Sequence, residues 1–419
     1  MRLNKYTVRI ANGQKTILYN LITKALIEVD YELRDCDAKN LLKDENAEMR
    51  NFLKESLIIS EDNNDDFKEF LSLKRQYDNS EIGRFIIHLG YMCNLRCSYC
   101  YQTTLPLSAK KQVIDVCKVV SFIMKCSKME KYKKLDICFI GGEPLLYLAI
   151  IRNIAQILNK EMKTAEIFYS VVTNGTLLTK KVIKILSPLN INEYQVTLDG
   201  IKDYHDKCRH GNIRGSFDRI IKNLKDIKDN REINISINCN ISTENYKGVE
   251  LLLEYLSTNN LHFPLFFSLV FNNGINKIKE IKKTSDIWFN IHKKAMEYGY
   301  SFEPFYREMY LGCSMTQRNS HIIGADGNLY KCINAVGNSK YFLCDMNEYG
   351  EIDYEKKIAK FLDYKIDRKE CEDCELYPVC NGGCEYNNSI NGFSCAKEQF
   401  YKNDIPLIKE LVNAKNRSN

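Results

Sequence analysis

The chain has 419 residues, of which 44% are hydrophobic, so it is long enough for two or three domains with buried cores. Its 60 basic and 54 acidic residues are scattered and leave a net charge of only +6, which argues against a nucleic-acid-binding surface. No apolar run is long enough to span a bilayer and the amino terminus resembles no secretory signal, which predicts a cytoplasmic protein without a membrane partner.

The first 80 residues are predicted to form a separate amino-terminal module. Alternating apolar residues in KYTVRI and TILYN flank the turn residues NGQ, a pattern typical of a β-hairpin. Helices are predicted over 38–54 and in DDFKEFLSLKRQ, with a short strand, LIIS, between them. This order favours a small winged-helix-like module over residues 1–80, with a simple cap on the next domain as the alternative.

Residues 81–303 alternate predicted strands and helices. The predicted strands are RFIIHLG, LDICFIG, EIFYSVVTNG, EYQVTLDG, INISINCNI and FPLFFSLVF. Their apolar runs show little alternation, which is typical of parallel strands covered on both faces. Repeated β-α units predict an α/β domain with a partial (β/α)6 TIM-like barrel, whose functional residues lie at the carboxyl ends of the strands.

Residues 304–400 lose this alternation and are rich in cysteine and turn residues. A region of this kind is expected to be organised around bound metals, which replace a conventional apolar core. The last segment, 401–419, is predicted to be a helix and a tail.

Seventeen cysteines require an explanation in a reducing compartment, where disulfides seldom persist. Ten of them fall into two spacing patterns, which favours metal ligation. The first pattern is Cys93-x3-Cys97-x2-Cys100, directly after the first strand of the α/β domain. The second pattern lies in the carboxyl-terminal region and comprises Cys313, Cys332, Cys371, Cys374, Cys380, Cys384 and Cys395. The other cysteines are expected to pack as small apolar side chains: Cys36, Cys117, Cys126, Cys138, Cys208, Cys239 and Cys344.

Three thiolates on one loop are expected to bind a [4Fe–4S] cluster and to leave its fourth iron open for chemistry. A zinc site would need a fourth ligand, and His88 lies within a predicted strand. Tyr99, just before the third cysteine, offers an aromatic edge to a ligand base, or else only packs. The run CNLRCSYC resembles the cluster-binding loop of the radical S-adenosylmethionine (SAM) superfamily.

Further segments resemble the same superfamily, in the expected order along the chain. The segment GGEP follows the second strand, and the resemblance implies that it binds the amino group of SAM through Gly141, Gly142 and Glu143. The segments TNGT and TLDG end the third and fourth strands. Asn174 and Asp199 in these segments are expected to contact the ribose or the carboxylate of SAM, or to cap the helices that follow.

An HDxxR motif follows the fourth strand and also resembles the superfamily. The resemblance implies that Arg209 pairs with the SAM carboxylate, for which a planar guanidinium is suited. His205 of the same motif is either a general base or a structural residue, and the structural role is favoured.

The seven carboxyl-terminal cysteines resemble the SPASM domain at every position. The resemblance implies two auxiliary [4Fe–4S] clusters, and therefore three clusters in the chain. Auxiliary cluster I would be bound by Cys313, Cys332 and Cys384. Auxiliary cluster II would be bound by Cys371, Cys374, Cys380 and Cys395. Cluster I then lacks one ligand, which either Cys344 or a substrate thiolate would supply.

The resemblance implies an oxidoreductase that cleaves SAM to a 5′-deoxyadenosyl radical and cross-links a precursor peptide, that is, a maturase of ribosomally synthesised and post-translationally modified peptides (RiPPs). Thioether formation at a Cys of the peptide is favoured, because cluster I has an open position. The amino-terminal module would bind the leader of this peptide in the manner of a RiPP recognition element. A flavodoxin- or ferredoxin-type reductant would supply the electrons.

Three alternatives remain open at this point. Anaerobic sulfatase maturation, which forms formylglycine, is disfavoured because Ile333 follows Cys332 where those maturases carry an Asp, and because they usually lack an amino-terminal module. Carbon–carbon cross-linking of a peptide uses the same scaffold. A non-enzymatic iron–sulfur scaffold would need no SAM-binding segments, yet this chain has them.

Overall fold

The computed structural model describes residues 1–30, 47–78, 81–105, 107–270, 286–301, 313–362, 369–393 and 395–418. Some features predicted from the sequence lie outside the described residues: Cys36, the first part of the helix predicted over 38–54, and the predicted boundary at 303/304. Within the described ranges, no helix is both long enough and apolar enough to cross a bilayer.

The amino-terminal module contains the predicted β-hairpin. Its strands are β1 (Arg2–Leu3), β2 (Thr7–Asn12), β3 (Lys15–Asn20), β4 (Leu26–Asp30) and β5 (Ile59–Ser60). β2 and β3 pair antiparallel around Gly13, whose φ of 63° is the left-handed conformation that this turn requires. The unpredicted strand β4 pairs with β3, while β5 pairs with β1 in a separate two-stranded sheet.

The module packs against the carboxyl-terminal region. Its described helices are Ala47–Glu55 and Asp66–Asp78. One apolar cluster joins the module to the end of the chain through Tyr6, Ile17, Phe70, Leu376, Tyr377, Ile405 and Ile408. Because these side chains lose their contact with water together, the folding of the module is coupled to that of the carboxyl-terminal region. The winged-helix-like character of the module stays a prediction.

A mostly parallel sheet forms the centre of the molecule, and all six predicted strands are confirmed. They are β6 (Ile82–His88), β7 (Lys134–Ile140), β8 (Glu166–Thr173), β9 (Ile191–Thr197), β10 (Asn234–Ile241) and β11 (Leu265–Leu269). Neighbouring strands in this set are consecutive in sequence, and every pair among them is parallel. This is the succession expected of repeated β-α units.

Helices connect these strands. The longer ones are Val116–Glu130, Leu148–Glu161, Ser216–Ile227, Tyr246–Thr258 and Asp286–Glu297. The shorter ones are Leu107–Lys110, Lys180–Leu186 and Lys202–Cys208. The apolar faces of several of them pack on the sheet, as amphipathic helices do: Val116–Glu130, Leu148–Glu161, Lys180–Leu186, Ser216–Ile227 and Tyr246–Thr258.

The two faces of the central sheet differ in polarity. One face packs against helices through fully buried residues such as Phe85, Ile137 and Tyr194. The other face, at alternate positions, carries half-buried polar residues, and we call it the polar face: Arg84, Asp136, Ser170, Gln195, Asn238, Asn240 and Ser268. The prediction that apolar packing covers both faces is therefore wrong for this face, because polar residues stand among its apolar ones.

The carboxyl-terminal region continues the same sheet, which the sequence did not predict. Its strands are β12 (Ser320–Ile323), β13 (Asn328–Tyr330) and β14 (Phe342–Asp345). β12 pairs in parallel with β6, and β13 and β14 add to it antiparallel. The helices of this region are Ile352–Leu362, Lys369–Glu372, Tyr377–Cys380, Glu385–Asn391, Lys397–Gln399 and Ile405–Ser418.

Candidate functional site

The predicted site residues of the α/β domain gather at the carboxyl edge of the sheet. The loop with Cys93, Cys97 and Cys100, which we call the cluster loop, follows β6. Glu143 follows β7, Asn174 follows β8 and Asp199 follows β9. Parallel strands that end at one edge bring these separate segments together, as in other α/β proteins.

Two glycines hold the entry of the cluster loop against the end of β7. The Gly142 amide donates to the Gly90 carbonyl at 3.0 Å, and the Glu143 amide donates to the Met92 carbonyl at 2.9 Å. A Cβ on Gly142 would lie 2.2 Å from the Met92 carbonyl oxygen, and one on Gly141 2.4 Å from the Gly90 oxygen. Glycine is therefore required here for two backbones to approach closely.

The other side of the cluster loop pairs with the end of the HDxxR motif. The Arg96 amide donates to the His210 carbonyl at 2.6 Å, and the Ser98 amide donates to the Cys208 carbonyl at 2.9 Å. Leu95 forms an isolated β-bridge with Gly211. The loop is thus fixed by backbone contacts on both sides, so its three thiols have defined positions.

The three thiols of the cluster loop lie near one another. The pKa of Cys97 is raised to about 12, mainly by burial; Arg209 opposes this shift, and the neighbouring Cys100 and Cys93 contribute to it. The Leu95 amide donates to Cys93 Sγ at 3.4 Å, and Asn174 Nδ2 lies 3.9 Å from the same sulfur. Donors around soft, clustered thiols fit an iron–sulfur cluster, whose potential responds to hydrogen bonds to sulfur.

Within the described part of the chain, no three Cys, His, Asp or Glu side chains are grouped closely enough to hold a single metal ion. A [4Fe–4S] cluster does not need such a group, because each thiolate binds a different iron. Three thiolates on one loop are a donor set that fits an iron–sulfur cluster.

Glu143 connects the ends of β7 and β8. Its carboxylate is fully buried and accepts hydrogen bonds from Thr173 Oγ1 at 2.6 Å, the Asn174 amide at 2.8 Å and the Leu145 amide at 3.1 Å. Burial raises its pKa, and these three donors oppose that effect. Glu143 therefore has a structural role at this edge, while its contact with the amino group of SAM stays a prediction.

Asp199 is the centre of a buried network. It accepts a hydrogen bond from Tyr99 Oη, and Arg209 Nη1 donates to Asp199 Oδ2 at 3.1 Å and to Tyr99 Oη at 2.5 Å. The Asp199 amide donates to His205 Nδ1 at 3.2 Å. Burial lowers the pKa of His205 to about 4, so the ring is neutral at pH 7 and acts as an acceptor for the backbone. These contacts support the structural role for His205.

One hydrogen-bond donor of Arg209 is not used by the described residues. The Arg209 side chain is 9% exposed, and the buried Nε atom has no hydrogen-bond partner among the described residues. A buried guanidinium N–H without a partner is costly, so its position fits an anionic group of a bound ligand. The SAM carboxylate predicted for Arg209 is such a group.

Asn240, at the end of β10, is a site residue that the sequence reading missed. Its amide N–H donates to Asp199 Oδ1 at 2.9 Å, and its Nδ2 donates to Asp199 Oδ1 and to Tyr99 Oη, both at 3.2 Å. The signal was present, because Asn240 is a polar residue at the carboxyl end of a predicted parallel strand.

The carboxyl-terminal cysteines form two groups. The pKa of Cys332 is raised to about 12, mainly by burial, and the thiols that contribute are Cys313 and Cys384. The pKa of Cys380 is raised to about 11, again mainly by burial, and the thiols that contribute are Cys374, Cys395 and Cys371. The side chains thus lie in one group of three and one group of four, and the binding of an auxiliary cluster by each group stays a prediction.

Cys344 lies apart from these groups. It is buried in β14 and packs in the main apolar core with Leu343 and Met346. The charged groups that shift its pKa, after burial, are carboxylates and a lysine rather than thiols. Cys344 therefore packs as a core residue and is a poor candidate for the missing ligand.

The cluster loop lies close to the first of these two groups. Tyr101 follows Cys100 directly, and its pKa is raised by burial and further by both Cys100 and Cys332. The Tyr91 hydroxyl accepts a hydrogen bond at 3.1 Å from the amide of Ala325, between β12 and β13. The pairing of β12 with β6 accounts for this proximity, because it brings the carboxyl-terminal region to the strand from which the cluster loop departs.

Residues 87–256 match the radical SAM superfamily. The chain is 24% identical over 327 residues to a cysteine-type anaerobic sulfatase-maturating enzyme of Clostridium novyi, which covers 71% of this chain and 86% of that enzyme. The solved structure of native anSMEcpe with bound AdoMet (SAM) has a TM-score of 0.63 at 21% identity and covers 81% of this chain and 100% of that one. Streptococcus suis SuiB bound to the precursor peptide SuiA has a TM-score of 0.55 at 18% identity, covering 92% and 96%.

These similarities agree with the site geometry. Residues 87–256 match a radical SAM domain and have a mostly parallel α/β fold, and the protein is an enzyme. Enzymes with a radical SAM domain use a [4Fe–4S] cluster and SAM. The thiols of the cluster loop fit the cluster, and the Nε donor of Arg209 fits the carboxylate of SAM.

Proposed function

We propose that this enzyme is a maturase that oxidatively modifies a ribosomally made precursor peptide, and that it joins a Cys sulfur of the peptide to a carbon of another residue. The observation that carries the proposal is the three-thiol group of Cys313, Cys332 and Cys384, together with the position of Cys344 in the core. Three thiolates on an auxiliary cluster leave one iron for a soft ligand, and a substrate thiolate is such a ligand.

Ten cysteines would hold three [4Fe–4S] clusters in the groups described above. When bound at the cluster loop, the cluster supplies the electron that cleaves SAM to methionine and a 5′-deoxyadenosyl radical, which takes a hydrogen atom from carbon. Arg209 would hold the SAM carboxylate through Nε, Tyr99 would contact the adenine, and the backbone at Gly141 and Gly142 would bind the amino group. Asn174 would fix the cluster loop through its bond to Asn94 Oδ1 at 2.8 Å.

The net reaction at the peptide is an oxidation by two electrons. One hydrogen atom leaves a carbon and is retained in 5′-deoxyadenosine, and the thiol loses its proton to solvent. A carbon–sulfur bond would form, and the remaining electron would go to an acceptor, a role suited to an iron–sulfur cluster held by the carboxyl-terminal cysteines. A flavodoxin- or ferredoxin-type protein would supply the electron that starts each turnover.

The mass of the peptide tests this proposal. The enzyme should be co-expressed under anaerobic conditions with each small, Cys-containing peptide encoded beside its gene. We expect each modified peptide to lose two hydrogens per modified cysteine, with those cysteines resistant to alkylation. An unchanged mass, with iron content and SAM cleavage intact, would contradict the proposal.

Sulfatase maturation is a second candidate, favoured by the similarity to the Clostridium novyi enzyme. Against it, Ile333 follows Cys332 and is 38% exposed, so no carboxylate is available at that position to take a substrate proton. Mass spectrometry separates the two reactions. Formylglycine formation from Cys would exchange sulfur for oxygen, whereas thioether formation retains the sulfur.

The leader of the peptide would bind to the amino-terminal module along β4, an edge strand of the three-stranded sheet in the described part of the chain. β2, at the opposite edge of the three-stranded sheet, is joined to the helix Ile405–Ser418 by a bond of 3.0 Å from Asn12 Nδ2 to Asn413 Oδ1. β4 is the other edge of that sheet. An edge strand offers unpaired backbone groups to an extended peptide, which is a common mode of recognition.

Hydrogen–deuterium exchange measures this binding directly. On addition of a synthetic leader of the peptide found above, the amides of β4 should exchange at least about tenfold more slowly, because pairing stabilises them by on the order of 1 kcal/mol or more. The amides of β2 serve as the control and should not change. Protection confined to β2, or absent from the whole module, would place the leader elsewhere.

A further inference from the structure

A chain of hydrogen bonds crosses the polar face of the sheet and ends at the cluster loop. It begins on β11, where Ser268 Oγ donates to Asn238 Oδ1 at 3.0 Å. Asn238 Nδ2 donates to Asn240 Oδ1 at 3.2 Å along β10. Asn240 and Ser268 are register partners in the pairing of these strands, so the three side chains share one face. We call this set the amide ladder.

The contacts of Asn240 fix the orientation of its side-chain amide. Its oxygen accepts from Asn238, and its nitrogen donates to Asp199 Oδ1 and to Tyr99 Oη. A carboxylate only accepts hydrogen bonds, so the group that faces Asp199 must be the nitrogen. Asn240 is therefore suited to this place in a way that Asp, of the same shape, is not.

The Tyr99 hydroxyl accepts a hydrogen bond from the side-chain amide of Asn240. It donates to Asp199 and accepts from Arg209 Nη1 and from Asn240 Nδ2. Three bonds to one hydroxyl hold the Tyr99 ring in place beside Cys100. The same bonds hold Arg209 in an orientation in which its Nε makes no hydrogen bond to the described residues. One network therefore positions both the Tyr99 ring and the Arg209 guanidinium, the two groups that would contact SAM.

We propose that Asn240 is a positioning residue for SAM, which acts by holding Tyr99 and Asp199 and, through them, Arg209. Asn238 and Ser268 support Asn240, because Asn238 donates a hydrogen bond to the Asn240 side-chain oxygen and Ser268 donates one to Asn238. This inference rests on SAM binding alone and not on the identity of the peptide, so the two proposals fail independently.

SAM binding to the purified holoenzyme under anaerobic conditions tests the role of Asn240. Asn240→Asp keeps the shape, removes the donor and places a second acceptor against Asp199, while Asn240→Ala removes the side chain. Because hydrogen bonds with charged partners are involved, we expect each variant to weaken SAM binding about tenfold or more in equilibrium dialysis. Asn238→Ala should weaken it less, by a few-fold, because it breaks only the support.

A second readout separates positioning from a general structural role. In electron paramagnetic resonance, addition of SAM to the reduced wild type should change the signal of the cluster at the loop. In the Asn240 variants the signal without SAM should match the wild type, and the change on SAM addition should be smaller or absent. Asn234→Ala, at the exposed start of the same strand, is the matched control and should leave both readouts unchanged.

Two results would overturn the inference. One is wild-type SAM affinity with the full spectroscopic change in Asn240→Asp or Asn240→Ala. The other is a loss of iron and of the signal without SAM in parallel with the loss of binding, which would make Asn240 a residue of the fold alone.

Discussion

A Cys97→Ala variant is expected to lose SAM cleavage. Cys97 is the central cysteine of the cluster loop, and its pKa responds to Cys93, to Cys100 and to Arg209, so it faces both the other thiols and the predicted SAM carboxylate site. Two thiols do not hold a cubane stably. Since even changes around a metal ligand cost about 10- to 100-fold, loss of the ligand should lower the rate by more than about 100-fold. The measurement is 5′-deoxyadenosine formed by reconstituted, chemically reduced enzyme.

Cys117→Ala is the matched control for this experiment. Cys117 is an exposed cysteine of the helix Val116–Glu130 and belongs to none of the three cysteine groups. Its replacement should leave iron content and SAM cleavage at the wild-type level. Retained cleavage in Cys97→Ala would show that the loop does not bind the catalytic cluster, whatever the similarity of its sequence.

The sequence predicted the parts of the fold that follow from local pattern. The six parallel strands and the hairpin of β2 and β3 were readable because apolar runs and turn residues mark them over five residues or more. β12, β13 and β14 have only three or four residues each, and the pairing of β12 with β6 joins segments that are far apart in the chain. No local pattern specifies such pairing, so the sheet seemed to end at β6.

The polar face of the sheet was not predicted from the sequence, for a different reason. Ser236, Asn238 and Asn240 alternate with isoleucine and cysteine in β10, yet the segment was read as an apolar run. The alternation is that of a strand with one face on the core and one face open to polar contacts. The amide ladder, and with it Asn240, became visible only once the register of β10 and β11 was known.

The site residues that belong to sequence motifs could be predicted, but the structural reasons for those residues could not. Only the structure shows why residues 142 and 211 must be glycine: a Cβ on Gly142 or on Gly211 would collide with the backbone of the cluster loop. For Glu143, the motif suggested a ligand contact, whereas the structure adds three hydrogen bonds that join two strands. One residue can do both, but spacing in the sequence reveals only the motif.

A Cys384→Ala variant is expected to separate the two halves of the reaction. Cys384 is exposed at the start of the helix Glu385–Asn391 and lies with Cys313 and Cys332, and it is not one of the thiols of the cluster loop. Removing it should therefore leave 5′-deoxyadenosine formation within about twofold of the wild type. Cross-linked peptide should fall by more than about 100-fold, because the proposed position for the substrate thiolate is lost with the cluster. Both products are measured in one anaerobic reaction by mass spectrometry.

Cys344→Ala is the control that gives this result its meaning. It removes a thiol from the same region, but one that packs in the core of β14 rather than with the ligand groups. We expect both products to form at wild-type levels. If Cys384→Ala still made the cross-link, the open auxiliary cluster would not be where the sulfur reacts. If Cys344→Ala lost it at unchanged folding stability, Cys344 would be the fourth ligand, and the cluster would have no open position for a substrate.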